Sequence, residues 1–184
     1  MGFDYFTIRN LAAELSGRLG ECVFGRAEST ATQLGIEVAG SGHLLAEFGR
    51  RGWLRWSAEA LPGSPGDQRS PEPFLCGARV LRVWSDPRDR MLWLRLVRED
   101  SAGEPSYGLL VFELIHPSFQ AYLCSERSGI VLRRWGGDGR LRLGAGVGYV
   151  PPPGTPRLLP GIDAVGDFVA AWPGKPDSRR SLAV

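Results

Sequence analysis

From residue 21 to residue 135 the chain is cut by glycine and other turn residues into short segments whose apolar side chains alternate. That punctuation leaves room for little besides an antiparallel β fold, because alternation with period two presents one apolar face per strand. Glu21–Arg26 reads as the first strand. Gln33–Val38 then places Leu34, Ile36 and Val38 on one face, and Ser41-Gly42 makes a tight turn into His43–Phe48. Trp53–Ser57 follows the Arg51-Gly52 turn and completes a meander. Residues 61–73, rich in proline, glycine, serine and charge, read as a loop. A second meander runs through Arg79–Trp84, Arg90–Arg98, Tyr107–Ile115, Phe119–Cys124 and Gly129–Trp135. The two meanders open alike, Leu19-Gly20-Glu21-Cys22-Val23-Phe24 matching Cys76-Gly77-Ala78-Arg79-Val80-Leu81 in pattern. Two similar halves packed as a sandwich are therefore expected.

Helical spacing occurs at the front of the chain, where Ile8, Leu11, Ala12, Leu15 and Leu19 recur three and four residues apart over 5–19. Asp4 is placed to cap this helix and Gly20 to stop it. Gly148-Tyr149-Val150-Pro151-Pro152-Pro153 leaves the sheet, since proline cannot donate to a ladder. Asp163 is placed to start a short helix over 164–172, with a frayed end beyond it. The expected fold class is α+β: an N-terminal helix on an antiparallel β-sandwich, one domain over 1–155, and a partly helical extension over 156–184.

Composition removes several function classes. Cys22, Cys76 and Cys124 are odd in number, far apart and flanked by apolar residues, so free buried thiols are expected in place of disulfides or a zinc site. His43 and His116 are too few for most metal sites, and no metal or cofactor is expected. No Walker-type loop and no nucleophile elbow is present, so no catalytic residues are assigned. No window approaches the roughly 18 apolar residues of a membrane span. Nor does the N-terminus carry a basic stretch followed by an apolar one, so a cytoplasmic location without membrane attachment is expected. Lys175 is the one lysine among 22 basic residues. Arginine makes bidentate phosphate contacts and stacks on bases, although a GC-rich genome gives the same bias.

Two places combine charge with an unusual position. Asp89-Arg90 follows a proline-containing turn and enters a strand, and Arg90 shares parity with Leu92, Leu94 and Leu96. A guanidinium at the rim of an apolar face needs a carboxylate or phosphate partner. Asp4 and Asp89 are the candidates within the chain. The pair reads either as an internal turn device or as a phosphate- or base-recognition site, and Asp4 either as a helix cap or as part of that site. Elsewhere, Trp53 and Trp56 are interleaved with Arg50, Arg51 and Arg55. That cluster can stack bases and grip phosphates, or it can be one core tryptophan with a solvated basic rim. The parities differ, so Trp56 belongs to the core and Trp53 to the surface. Glu113, inside an apolar run, is expected to pair with an arginine and serve structure. His116 reads as a turn residue.

Phe3-Asp4, the helix ending Glu14-Leu15 and Leu19-Gly20, Gly77-Ala78-Arg79-Val80, Asp89-Arg90, Phe112-Glu113-Leu114 and Gly148-Tyr149-Val150-Pro151-Pro152 occur in an order that resembles the N-terminal domain of the NFACT family. These are the RqcH-like, fibronectin-binding protein A-like ribosome quality-control factors. The resemblance covers about 1–155. It implies a β-sandwich distantly similar to the N-terminal domain of formamidopyrimidine-DNA glycosylases. It further implies contact with the large ribosomal subunit and tRNA, with Asp4, Asp89 and Arg90 at positions tied to tRNA handling.

Departures from the family pattern bear on that expectation. The family has a helix with an Arg-Lys pair where this chain has Phe74-Leu75-Cys76, so that helix is expected to be short or missing. A Gly-Arg-His-Ser-Asn motif is replaced by His116-Pro117-Ser118-Phe119-Gln120, which loses basic residues. The coiled-coil and NFACT-R regions that follow in the family have no counterpart, and a separate chain could supply them. The expected function is thus a non-catalytic RNA-binding, ribosome-associated module, with Asp4, Asp89, Arg90, Arg51, Trp53 and Arg55 as its contact residues. A degenerate protein-interaction module is the alternative. A DNA glycosylase is disfavoured, because Gly2 and Phe3 stand where such enzymes carry a proline nucleophile and a glutamate.

Overall fold

The computed structural model describes residues 5–60, 69–85, 90–115, 118–136 and 143–152. Asp4, Asp89, His116, the 156–184 extension and its expected helix lie outside the described residues.

Helix α1 (Tyr5–Leu19) buries Ile8, Ala12, Leu15 and Leu19 and leaves its opposite face to solvent. These are the positions that three- and four-residue spacing places on one stripe. The helix stops with Gly20 N–H donating to the Ser16 carbonyl at 3.1 Å. The helix ends where Gly20 was expected to stop it, and the next residue, Glu21, is left-handed at φ 61°.

Strands β1 (Phe24–Ser29), β2 (Gln33–Val38), β3 (Gly42–Glu47), β4 (Trp53–Ser57) and β5 (Ser70–Pro71) form a first antiparallel sheet in the order β4-β3-β2-β1-β5. Strands β6 (Arg79–Ser85), β7 (Met91–Glu99), β8 (Pro105–Ile115), β9 (Ser118–Ser125) and β10 (Val131–Gly136) form a second, in the order β10-β9-β8-β7-β6. The α+β sandwich of two meanders is therefore present. Two details depart from the sequence reading. The first strand lies at 24–29 instead of 21–26, and its register on β2 shifts between Phe24 and Ala27. The segment read as a continuous loop contains β5, which pairs Ser70 with Ser29.

The alike openings of the two halves pair with each other. Val23 bridges Arg79, and hydrogen bonds run from Val80 N to Cys22 O (2.9 Å), Phe24 N to Ala78 O (2.8 Å) and Gly77 N to Phe24 O (2.9 Å). This short ladder is what displaces β1, since residues 22–24 already serve the other sheet. Where α1 precedes β1, a single turn closed by Leu75 N–H to Glu72 O (3.0 Å) precedes β6. The shortened helix expected there is present as that turn.

At the other end, Gly49 and Phe119 exchange backbone bonds of 2.9 and 3.0 Å, and Phe48 lies against Phe119 and Trp135. Arg133 on β10 reaches Glu72 at 3.0 Å, and Glu72 also accepts from Ser29 Oγ on β1. The sandwich is thus tied at both sides, around a core that includes Phe24, Leu34, Ile36, Leu44, Leu92, Leu94, Leu96, Leu110 and Phe112. Each such buried side chain contributes about 1.5–3 kcal/mol.

A smaller apolar cluster lies on the outward face of the second sheet: Met91, Trp93, Leu109, Val111, Tyr122, Cys124, Val131 and Tyr149. Tyr149 comes from the exit segment, which runs beside β10 with Val131 N–H bonded to Val147 O at 2.8 Å.

Candidate functional site

Strand β4 places its side chains by period two. Leu54 is buried and Trp56 packs against the core, whereas Trp53 and Arg55 point outward. The separation of the two tryptophans expected from parity is what the structure has. Arg55 lies over the Trp53 ring, its guanidinium carbon 4.5 Å from the ring centroid. Leu45 stands opposite Arg55 on β3 and is fully buried, so this face has an apolar floor. Among the described residues Arg55 has no carboxylate within ion-pair distance. It is held by the indole, and its polar edge remains available for an anion.

Arg50 and Arg51 occupy the exposed turn that leads into β4. Gly49 takes a φ of 117°, which favours glycine, and Gly52 N–H closes the turn on Gly49 O at 3.2 Å. The Gly49–Phe119 bridge anchors that turn to the second sheet. Arg51, Trp53 and Arg55, read from sequence as one cluster, lie on one strand and the turn before it.

Arg90 lies on the other sheet. Its carbonyl accepts from Leu114 N–H at 2.8 Å, which extends the β7–β8 ladder by one residue. Leu92, Leu94 and Leu96, of its parity, are buried in the main core, so Arg90 stands half-buried at that core's rim as expected. Asp4 and Asp89, its expected companions, are outside the described residues.

A second aromatic–basic pair went unrecognised in the sequence. On β6, exposed Arg82 lies 5.4 Å over the Trp84 ring, and Trp84 stacks on Trp93 of β7 at 6.0 Å and 10°. The signal was available: Arg82-x-Trp84 has the same two-residue spacing as Trp53-x-Arg55. Across the ladder Arg82 faces Arg95, which is paired with Glu126 at 3.0 Å.

Glu113 is fully buried, as a residue in an apolar run would be. Its two carboxyl oxygens accept from Tyr149 Oη at 2.8 Å and from Gln120 Nε2 at 2.9 Å. Cys22 and Cys76 are free thiols but only half-buried, a departure from the expectation of burial; Cys124 is free and fully buried. Burial, with Glu113 nearby, pushes the Cys124 thiol up to about 12. Among the described residues no three His, Cys, Asp or Glu side chains gather as a metal site. No helix among them is long and apolar enough to cross a membrane.

No family model and no curated protein matches this chain. Solved structures do. The N-terminal domain of the fibronectin-binding protein PavA from Streptococcus pneumoniae superposes with a TM-score of 0.70 at 19% identity, over 92% of this chain and 72% of that one. The N-terminal part of the fibronectin/fibrinogen-binding protein from Streptococcus suis gives a TM-score of 0.70 at 17% identity, over 84% and 62%. The fibrinogen-binding protein from Staphylococcus aureus gives 0.60 at 13%, over 79% and 55%. This chain thus spans only part of each. At such identities the likeness is one of architecture, and on it the chain has the fold of the N-terminal domain of fibronectin-binding proteins, the NFACT N-terminal fold.

Proposed function

We propose that this chain is a non-catalytic RNA-binding module of the cytoplasm, similar to the N-terminal domain of ribosome quality-control factors and directed at tRNA on the large ribosomal subunit. The observation that carries this reading is Arg55 lying over Trp53, with no carboxylate among the described residues to neutralise it, beside exposed Arg50 and Arg51. A guanidinium stacked on an indole keeps its in-plane donors turned outward, where they can meet phosphate oxygens in pairs. The ring supplies a face on which a base can stack. Phosphate contact of this kind positions the protein on RNA without reading sequence. Arg90 would add a recognition contact from the second sheet, oriented by Asp4 and Asp89.

Co-sedimentation of the full chain with large ribosomal subunits and tRNA tests the reading. Retention that is lost with Arg55→Ala and weakened by Arg90→Ala supports it. Retention equal to that of an unrelated protein of the same net charge refutes it.

A second reading, a protein-interaction module without RNA binding, is favoured by one surface feature. Ile130, Leu132 and Val147 are exposed apolar side chains on and beside β10. The structural neighbours are named for fibronectin and fibrinogen, which are protein ligands. A pull-down that recovers a stoichiometric protein partner and no RNA selects this reading over the first.

A further inference from the structure

The segment that follows the described part of β10 is held on the sheet by one continuous chain of side-chain hydrogen bonds. At one end Leu143 N–H donates to Tyr122 Oη at 3.4 Å, and Tyr122 Oη donates to Gln120 Oε1 at 2.9 Å. Gln120 Nε2 donates to Glu113 Oε2 at 2.9 Å, and Tyr149 Oη donates to Glu113 Oε1 at 2.8 Å. Leu143 and Tyr149 belong to the segment; Tyr122, Gln120 and Glu113 belong to β8 and β9. Both ends of residues 143–149 are therefore fastened to the same row of polar groups. Glu113 and Gln120 sit directly opposite each other on the two strands, so the row is rigid.

The segment's middle is different. Ala145, Gly146, Val147 and Gly148 are exposed, and Gly146 takes a φ of 83°. What holds them is the main chain: Gly146 N to Val131 O and Tyr149 N to Gly129 O, each 2.8 Å, with the reciprocal bond from Val131 N. Tyr149 alone in this stretch is fully buried, its ring edge-on to Trp93 at 5.6 Å and against Tyr122 at 5.6 Å. A large buried anchor, two fastened ends and a glycine-rich exposed middle describe a strap. The core between the sheets has no part in it, because the cluster beneath the strap is separate from that core.

We propose that residues 143–150 are a latched strap that opens and closes over the outward face of the second sheet as a unit, without unfolding of the sandwich. The Tyr149–Glu113 hydrogen bond is its catch. Closed, the strap aims Val150-Pro151-Pro152 and whatever follows in one direction, since proline stiffens the exit. Open, it frees that direction and uncovers Cys124. The strap therefore governs how the domain is oriented toward any part attached after it. This inference is independent of RNA binding.

Cys124 reports the state of the latch. In the full chain carrying Cys22→Ser and Cys76→Ser it is the sole thiol, and a soluble thiol reagent labels it only when the strap is open. Labelling is expected to be slow and nearly unaffected by low urea, as for a local opening that exposes little surface. Tyr149→Phe keeps the ring and removes the catch. It should raise the labelling rate about tenfold to a hundredfold, the range for losing one hydrogen bond to a buried carboxyl group. Tyr122→Phe releases the other end and should accelerate labelling also, which covers the case of a poorly folding Tyr149 variant. A labelling rate that rises with urea as steeply as global unfolding overturns the proposal, and so does an unchanged rate in both variants.

Discussion

Replacing Gly52 by alanine tests the joint that positions the arginine turn. An added Cβ would stand 2.5 Å from the Glu47 carbonyl oxygen and 2.6 and 2.7 Å from Phe119 Cδ1 and Cβ. The oxygen belongs to β3 and cannot yield without breaking the β3–β4 pairing. Phe119 cannot swing away without leaving Phe48, 5.1 Å from it, and the Gly49 bridge. Overpacking against both backbone and core costs about 2–3 kcal/mol. For a domain of this size that lowers the melting temperature by about 5–10 °C. The internal control is Gly17, whose added Cβ meets nothing within 4 Å. Gly17→Ala, in the last turns of α1, should gain up to about 1 kcal/mol and melt a few degrees higher. Both are read by circular dichroism melts with urea titrations as a check on reversibility. A Gly52→Ala melt within a degree or two of the parent, or a Gly17→Ala melt below it, would refute the reasoning.

Three further outcomes are expected. Glu21→Gly relieves a left-handed residue with a Cβ and should stabilise the chain by about 0.5–1 kcal/mol in urea titrations. Cys124 titrates higher folded than unfolded, so its contribution is complete below about pH 9. It is lost as pH rises toward about 12, at close to 1.4 kcal/mol per unit, and the difference from Cys124→Ala isolates this slope. A double-mutant cycle on Glu72 and Arg133 should give a coupling of about 0.5–1.5 kcal/mol, small because the Arg133 side chain is 49% exposed. No coupling would mean that this bridge does not help hold the two sheets together.

Much of the fold was legible because it follows from period two. Leu92, Leu94 and Leu96 are all buried, and the Trp53 and Trp56 sides separate as parity requires. The stripe of α1 is legible for the same reason at its own period. What was hidden depends on partners distant in the chain. The pattern match between residues 19–24 and 76–81 signalled two similar halves. It carried no sign that the two segments hydrogen-bond to each other, and that pairing is what moves β1 to Phe24–Ser29. The bonds that Glu113 accepts from Tyr149 and Gln120 could not be read from its charge, because they arise from a segment 36 residues later and a strand across the sheet. Of the candidate site, Arg51, Trp53 and Arg55 were singled out by composition and spacing. Arg82 and Trp84 carried the same spacing and went unremarked.

The most direct test of the account is the salt dependence of tRNA binding by the full chain, measured for the parent and for Arg55→Ala. If Arg55 grips phosphate from its tryptophan platform, log affinity falls linearly with log salt, and the substitution reduces the slope by about 0.7–0.9, one phosphate contact. Trp53→Ala should weaken binding at every salt concentration, since stacking and not charge is removed. An affinity no greater than that of an unrelated protein of equal charge, with the same slope for parent and Arg55→Ala, would contradict the account.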